Sequence, residues 1–271
     1  MIRMKTLIIG SDGQLGSQLM EFMPNPTGGA SRKGKDSMRL DISDVHEVEN
    51  LILSEKPDVV VNAAAITDVD LCEREREMAL KVNGIAVRSM ARACSVIGSY
   101  FIHISTDYVF DGEKGMYKED DAPNPPLNYY GISKLYGEAS ALAYDETLVV
   151  RTSGVFGYKQ NFPLFVLKTL QGNGTVKCID SFYSPPIHAR LLARAIAELL
   201  GRRLRDNQRI RCKDIQIRAC HENQGILRHR YGHCGAAAGG AVWYREREAP
   251  SRFLVGQLQG QGTTVLRLRV C

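Results

Sequence analysis

No apolar run among these 271 residues approaches the roughly 20 needed to span a bilayer. The opening Met1-Ile2-Arg3-Met4-Lys5 lacks the apolar core and cleavage pattern of a secretory signal, so a cytoplasmic chain without a membrane partner is expected. The seven cysteines have no regular spacing, which argues for reduced thiols and against a disulfide framework. Paired zinc-type ligand knuckles are also missing. Cys220, His221, His229, His233 and Cys234 cluster without that spacing, and no metal is expected. There is no internal repeat. The length suits one large domain, or one domain with a smaller lobe.

Lysine is nearly absent from the last part of the chain. Residues 202–271 hold 13 Arg, one Lys and five Asp or Glu, a net charge of +9. Taken from chain totals of 35 basic and 30 acidic residues, this leaves 21 basic and 25 acidic residues in 1–201, a net of −4. The overall +5 therefore belongs to the tail. A basic tail can bind nucleic acid. This one has neither a lysine-rich run nor a recognisable nucleic-acid module, and no nucleic-acid partner is expected. After Gly201 neither the 3.6 nor the 2 residue period persists. Four of the seven cysteines, three of the six histidines and the one tryptophan, Trp243, fall there.

What is present upstream is regular. Lys5–Ile9 reads as a buried strand, Ser17–Phe22 as a helix ended by Pro24 and Pro26, and any strand within 27–38 as short. Asp44 with Glu47 resembles a capping box opening a helix to about Ser54. Val59–Ala65 reads as a strand, Glu73–Ile97 as one helix, Tyr100–Ser105 as a strand and 111–128 as a loop. Tyr129–Ala143 reads as a helix, Leu148–Thr152 as a strand and Ala189–Leu200 as an apolar helix. Strands alternating with helices at this spacing predict an α/β, doubly wound parallel sheet of Rossmann-like type with a small C-terminal lobe.

Two constellations carry chemistry. Gly10-Ser11-Asp12-Gly13-Gln14-Leu15-Gly16 lies directly after a strand and before a helix. Glycines there allow a tight turn and close backbone approach to a pyrophosphate, and the helix N-terminus offers N–H groups and a positive dipole end. An ordinary glycine-rich turn is the plainer reading; placement between strand and helix favours a dinucleotide site. Ala63, Ala64 and Ala65 end a strand, where small side chains suit a cofactor lying across the sheet edge, tight helix packing, or both. The second constellation is Tyr130-Gly131-Ile132-Ser133-Lys134. Tyr and Lys four apart share a helix face, and an ammonium near a phenol favours the phenolate and is expected to lower the Tyr pKa. Tyr130 can then protonate a developing alkoxide. Thr106, at a strand end, can orient a substrate carbonyl; capping of the nearby backbone is its plainer role.

The spacing Gly-x-x-Gly-x-x-Gly resembles the extended short-chain dehydrogenase/reductase family. The segments Ala63–Asp70, Ser105–Gly112, Asn128–Glu138 and Arg151–Gly157 are similar to the dTDP-4-dehydrorhamnose reductases within it, over about residues 1–200. That resemblance implies NADPH, or NADH, reducing the 4-keto group of dTDP-4-dehydro-6-deoxy-L-mannose to give dTDP-L-rhamnose. It implies Tyr130 as proton donor, Lys134 on the nicotinamide ribose, and Thr106 with Asp107 facing the sugar. It also implies Asp41 and Ile42 at the adenine, Asp41 being otherwise a turn residue before the Asp44 cap. Ser31-Arg32-Lys33 falls where a 2′-phosphate would lie, with Arg32 or Lys33 as its partner; a solvated basic loop is the alternative. Residues 1–160 would form the nucleotide domain and 161–201 the start of a substrate lobe. A homodimer is compatible with the sequence, which leaves the oligomeric state open.

Three departures stand out. Gly154 replaces a Trp that many relatives place against the substrate, and Ser184-Pro185-Pro186 matches the family's Gly-x-Pro-Thr segment only roughly. The family's C-terminal half is not recognisable after Arg203. For 202–271 two readings compete, a divergent basic lobe and translation in a shifted reading frame. The joint enrichment of Arg, Cys and His favours the second. The resemblance also permits a non-catalytic regulatory subunit of the methionine adenosyltransferase type, or another nucleotide-sugar reductase or epimerase. An intact Thr106, Tyr130 and Lys134 set favours the reductase.

Overall fold

The structure, a computed structural model, describes residues 4–31, 38–118, 121–172, 175–178, 186–206, 214–217, 253–256, 264–265 and 267–270. Arg32, Lys33, Ser184, Pro185 and the histidines and cysteines of the tail lie outside the described residues. The chain divides into two compact units, Met1–Val155 with Ile187–Arg218, and Phe156–Pro186 with Ala219–Cys271.

In the first unit the strands are β1 (Thr6–Ile9), β2 (Pro26–Ser31), β3 (Met38–Arg39), β4 (Val59–Asn62), β5 (Tyr100–Thr106) and β6 (Thr147–Thr152). After β7 (Val155–Phe156), β8 (Lys177–Cys178) and β9 (Ile187–His188), β10 (Asp214–Ile217) completes one seven-stranded sheet in the order β10-β6-β5-β4-β1-β2-β3. The pairs are parallel throughout. The order reverses between β1 and β4, and a crevice at such a switch point is where doubly wound sheets bind ligands.

The helices are α1 (Gln14–Phe22), α2 (Val45–Glu55), α3 (Val69–Arg74), α4 (Arg76–Leu80), α5 (Ala86–Ile97), α6 (Tyr129–Leu142), α7 (Phe162–Gln171) and α8 (Ala189–Asp206). Apolar residues fill both faces of the central strands, because helices cover both sides. Ile8, Val59, Val61, Ile102 and Val150 pack with Leu15 and Leu19 of α1 and Leu192 and Ile196 of α8. Leu7, Ile9, Val60, Phe101 and Val149 pack with Val48 and Ile52 of α2 and Val87 and Met90 of α5. Residues 189–200 thus belong with the nucleotide unit rather than with a lobe beginning at residue 161. The reason is that the apolar stripe of α8 is buried on α1 and the sheet.

The expected single helix over 73–97 is divided. A π-helical turn, Lys81–Ile85, sits between α4 and α5, and α3 begins earlier, capped by Asp68 Oδ1 accepting from the Leu71 N–H at 2.9 Å. Strand β4 stops at Asn62 instead of running to Ala65, because the Asn62 side chain takes the Ala64 N–H that would continue the ladder. Asp44 caps α2 as expected, accepting from the His46 and Glu47 N–H groups. The reciprocal half of the box is displaced: Glu47 reaches the Asp41 N–H at 3.2 Å.

In the second unit α7 is capped by Asn161, which accepts from the Leu164 N–H at 3.0 Å. Strands β11 (Phe253–Gly256), β12 (Thr264–Val265) and β13 (Arg267–Val270) form two antiparallel pairs, β11 with β13 and β12 with β8. No helix among the described residues is long and apolar enough to cross a membrane.

Candidate active site

The C-terminal ends of β1, β4, β5 and β6 lie side by side, with Ile9 opposite Asn62, Asn62 opposite His103, and Thr106 opposite Thr152. This edge brings together the two constellations that the sequence singles out.

At β1 the chain turns at Gly10, whose φ of +85° is a left-handed conformation that favours glycine. A side chain at Gly10 would meet the Ala64 backbone nitrogen at 2.7 Å, so the turn lies against Ala63 and Ala64. The Gly13 N–H donates to the Gly10 carbonyl at 2.8 Å, and a Cβ on Gly16 would run into that same carbonyl. Gly13 occupies the N-cap position of α1 and offers no side-chain cap, whereas Asp44, Asp68, Asn128 and Asn161 cap α2, α3, α6 and α7. The Ser11 hydroxyl is buried in the turn without a hydrogen-bond partner. A side-chain-free helix N-terminus beside an orphaned hydroxyl and a tight glycine turn fits a phosphate of a dinucleotide.

The other cofactor candidates are distributed unevenly. The Leu15 side chain is in the core, so only its backbone can face a ligand. Ala63, Ala64 and Ala65 are half-buried at the edge. Asp41 is exposed, and its Oδ1 accepts from the Ser43 N–H at 3.0 Å, which is the turn role weighed above. Ile42 leans on the α2 side of the core.

Tyr130, Lys134 and Thr106 are all buried. Asn128 caps α6 through the Gly131 N–H at 2.8 Å, and Glu73 accepts from the Tyr129 N–H at 2.6 Å, fixing the first turn that carries Tyr130. The Tyr130 ring meets Tyr108 edge-on at 5.6 Å between centroids and packs with Cys72 and Ala79. Its phenol shares a hydrogen bond with Thr106. The Thr106 hydroxyl also accepts from the Tyr108 N–H at 3.2 Å and lies 3.3 Å from Asp107 Oδ1, so it caps backbone and touches the phenol at once.

The electrostatics differ from expectation. Burial pushes the Tyr130 phenol above its ordinary value, opposed by the Thr106 hydrogen bond and reinforced by the nearby Asp107 carboxylate. The expected lowering by Lys134 is absent because the Lys134 amine points elsewhere. It donates to the Ile104 carbonyl at 2.7 Å and faces His103 Nε2 at 3.4 Å. Burial draws Lys134 down to about 8, with Glu138 pulling the other way.

Three polar residues of the site escape motif reading. Asn62, Asn83 and His103 are fully buried. Asn83, on the π-helical turn, accepts from the Ile66 N–H at 2.9 Å and donates to the Ile66 carbonyl and to Ser133 Oγ, both at 3.0 Å. Each is a lone polar residue beside an apolar run, and that was the available signal.

A sequence profile described as the RmlD substrate binding domain matches residues 4–214. The chain belongs to that family. Within the RmlD family, a dTDP-4-dehydrorhamnose reductase of Mycobacterium tuberculosis is 37% identical over 208 residues, 72% of this chain and 65% of the relative. The chain thus spans just under two thirds of that relative's length. A crystal structure of a hypothetical dTDP-4-dehydrorhamnose reductase from Sulfolobus tokodaii is 50% identical with a TM-score of 0.69, covering 74% of this chain and 73% of the other. The Bacillus anthracis dTDP-4-dehydrorhamnose reductase in complex with NADP is 29% identical, with a TM-score of 0.69 over 74% of this chain and 72% of that one. The RmlD match ends at residue 214, close to where sequence periodicity fails.

Proposed function

We propose that the chain reduces the 4-keto group of dTDP-4-dehydro-6-deoxy-L-mannose to give dTDP-L-rhamnose, with NADPH as the preferred hydride source and NADH tolerated. The observation that carries this reading is the buried Tyr130, Thr106 and Lys134 set on the same sheet edge as the uncapped start of α1. The names of the relatives support the substrate, and the Bacillus anthracis complex supports the cofactor. Residues 1–160, with α8 packed on them, would carry the nucleotide, and the sugar lobe would begin at residue 161, in a cytoplasmic enzyme.

Gly10, Gly13 and the first turn of α1 would hold the pyrophosphate, Ala63 to Ala65 would line the sheet edge, and Asp41 would reach the adenine. When bound, the nicotinamide supplies a hydride to the carbonyl carbon. The chain's own residues manage the proton. The raised Tyr130 phenol stays protonated through neutral pH and can release its proton to the carbonyl oxygen as charge develops there. Thr106 holds the phenol oxygen and has Asp107 beside it, within reach of a sugar hydroxyl. Lys134 would contact the ribose.

The test is consumption of NADPH by the full 271-residue chain with the 4-keto sugar nucleotide. Tyr130→Phe keeps the ring and removes the proton, and turnover should fall by about 100-fold or more, the range for a lost general acid. Equal turnover in the two proteins, or no turnover by the parent chain, rejects the reading.

A further inference from the structure

We infer that Glu73, near the end of α3, is a positioning residue for the proton donor: its carboxylate holds the Tyr129 N–H and so sets where the Tyr130 phenol stands against Thr106. The inference deepens the proposed function and rests on its assignment of Tyr130 as the proton donor.

A helix leaves its first N–H groups without partners inside the helix, and what satisfies them decides what the helix start is tied to. In α6 the Gly131 N–H goes to Asn128 at 2.8 Å. Asn128 belongs to the same stretch of chain and would travel with the helix, so it caps α6 without locating it. Glu73 lies 56 residues before Tyr129. Its Oε1 accepts from the Tyr129 N–H at 2.6 Å, and the next residue in the chain is Tyr130. A charge-assisted bond at the positive end of the helix dipole is stronger than a neutral one.

Glu73 is itself held. Helix α3 is capped by Asp68 through the Leu71 N–H at 2.9 Å, and its fully buried Cys72 packs with Tyr130. The second carboxylate oxygen of Glu73 accepts from Arg76 Nη2 at 2.8 Å, and the Arg76 guanidinium lies 5.2 Å from the centre of the Tyr129 ring. The carboxylate is therefore engaged at both oxygens, and Arg76 closes over the residue whose amide the carboxylate holds. The Tyr129 N–H first, and Arg76 second, hold the Glu73 carboxyl below its ordinary range, so it is a carboxylate at neutral pH.

Two further contacts restrain the same part of α6. A Cβ on Gly131 would run into the Tyr108 carbonyl, so glycine there lets the helix sit hard against the residues that follow β5. Further along the helix, Asn83 donates to Ser133 Oγ from the π-helical turn. Tyr130 thus stands between an anchor at residue 129 and another at residue 133. Release at residue 129 leaves the turn tethered from one side only. The phenol can then move off the Thr106 hydroxyl without the helix unfolding.

The test separates reach from charge. Glu73→Gln keeps the acceptor oxygen and its reach, Glu73→Asp keeps the charge but is one methylene short, and Glu73→Ala loses both. Each full-length variant is assayed with NADPH and the 4-keto sugar nucleotide. In Glu73→Ala and Glu73→Asp, kcat should fall by about tenfold or more, the order that a small misplacement of a reacting group costs. The KM for the sugar nucleotide and the dissociation constant for NADPH should hold, because the lost contact acts in the transition state. Glu73→Gln should recover most of the lost kcat. A cap that served stability alone would lower the unfolding temperature and leave kcat per bound NADPH untouched. Nuclear magnetic resonance of the chain labelled with carbon-13 at tyrosine Cζ gives a second reading, the Tyr130 line being assigned through Tyr130→Phe. That line should move in Glu73→Ala and Glu73→Asp and return in Glu73→Gln. Parental kcat in folded Glu73→Ala or Glu73→Asp, no recovery in Glu73→Gln, or an unmoved Tyr130 line overturns the inference. If Glu73→Ala does not fold, the aspartate and glutamine variants decide. If the parent chain turns over no sugar nucleotide, the proposed function fails, and the Tyr130 line alone decides the positioning.

Discussion

Asn83 Nδ2 donates to Ser133 Oγ at 3.0 Å, tying the π-helical turn to the helix that carries Tyr130 and Lys134. The Ser133 hydroxyl passes the contact on to the Tyr130 carbonyl at 2.8 Å. Asn83→Ala would orphan the Ile66 N–H and strip one donor each from the Ile66 carbonyl and Ser133 Oγ, which keep the Cys72 thiol and the Tyr130 carbonyl as partners. The expected loss is about 2–3 kcal/mol in denaturant unfolding. Turnover should fall by about 10- to 100-fold, because small displacements of reacting groups are costly. A variant of parental stability and turnover would deny the turn a positioning role.

Arg151 and Glu138 form a second buried link to α6. Both side chains are 2% exposed, the guanidinium grips the carboxylate through Nε at 3.0 Å and Nη2 at 2.7 Å, and its other side lies 5.2 Å from the Phe110 ring centre. Removing one partner leaves a buried charge unpaired, so Arg151→Met and Glu138→Gln should each destabilise by about 3–5 kcal/mol. Replacing both removes that penalty. The double variant should therefore lose much less than the two single losses together, and strict additivity in the cycle would contradict the account.

How much of this was legible in the sequence depended on where each residue's partners lie. The sheet could be read because apolar runs such as Val59-Val60-Val61 follow turn signals and are buried on both faces. Tyr130 and Lys134 could be read because helix spacing alone puts them on one face. The break at Lys81–Ile85 could not, since the helical period continues through it, and Asn83 is held by Ile66, 17 residues away. His103 is illegible for the same reason. Its partners come from β4 and α6, and only the fold brings them together. The direction of the Tyr130 shift also needed the fold, because i, i+4 spacing says nothing about which acceptor the lysine chooses.

The Gly10–Gly16 turn makes a separate prediction. Gly16→Ala would push a methyl group into the Gly10 carbonyl and open the turn against Ala64. Stability should drop by about 1–3 kcal/mol, as for an overpacked site. NADPH binding, followed by calorimetry, should weaken by at least about tenfold, the effect of losing some 1.4 kcal/mol of backbone contact. If binding and stability both stay at the parental level, the turn is not the phosphate cradle.

Lys134 ties stability to pH, and the sign can be worked out. Its folded value of about 8 lies below the ordinary 10.5, so between these two values the unfolded chain holds more of this proton than the folded one. Stability from this group therefore rises with pH across that window, and is lost as pH falls from 10.5 towards 8. Lys134→Met fills the same space without a charge to bury, and it retains Tyr130, so the tyrosine contribution cancels in the comparison. Urea unfolding of both proteins at about pH 7.5 and about pH 10 should show the parent chain gaining about 2 kcal/mol on the variant, from a full shift worth about 3 kcal/mol. At the lower pH the methionine variant should be the better placed of the two, while it has lost the amine proposed for the ribose. A gap between the proteins that stays constant with pH would mean that folding does not favour the neutral amine, and the burial argument for Lys134 would fail with it.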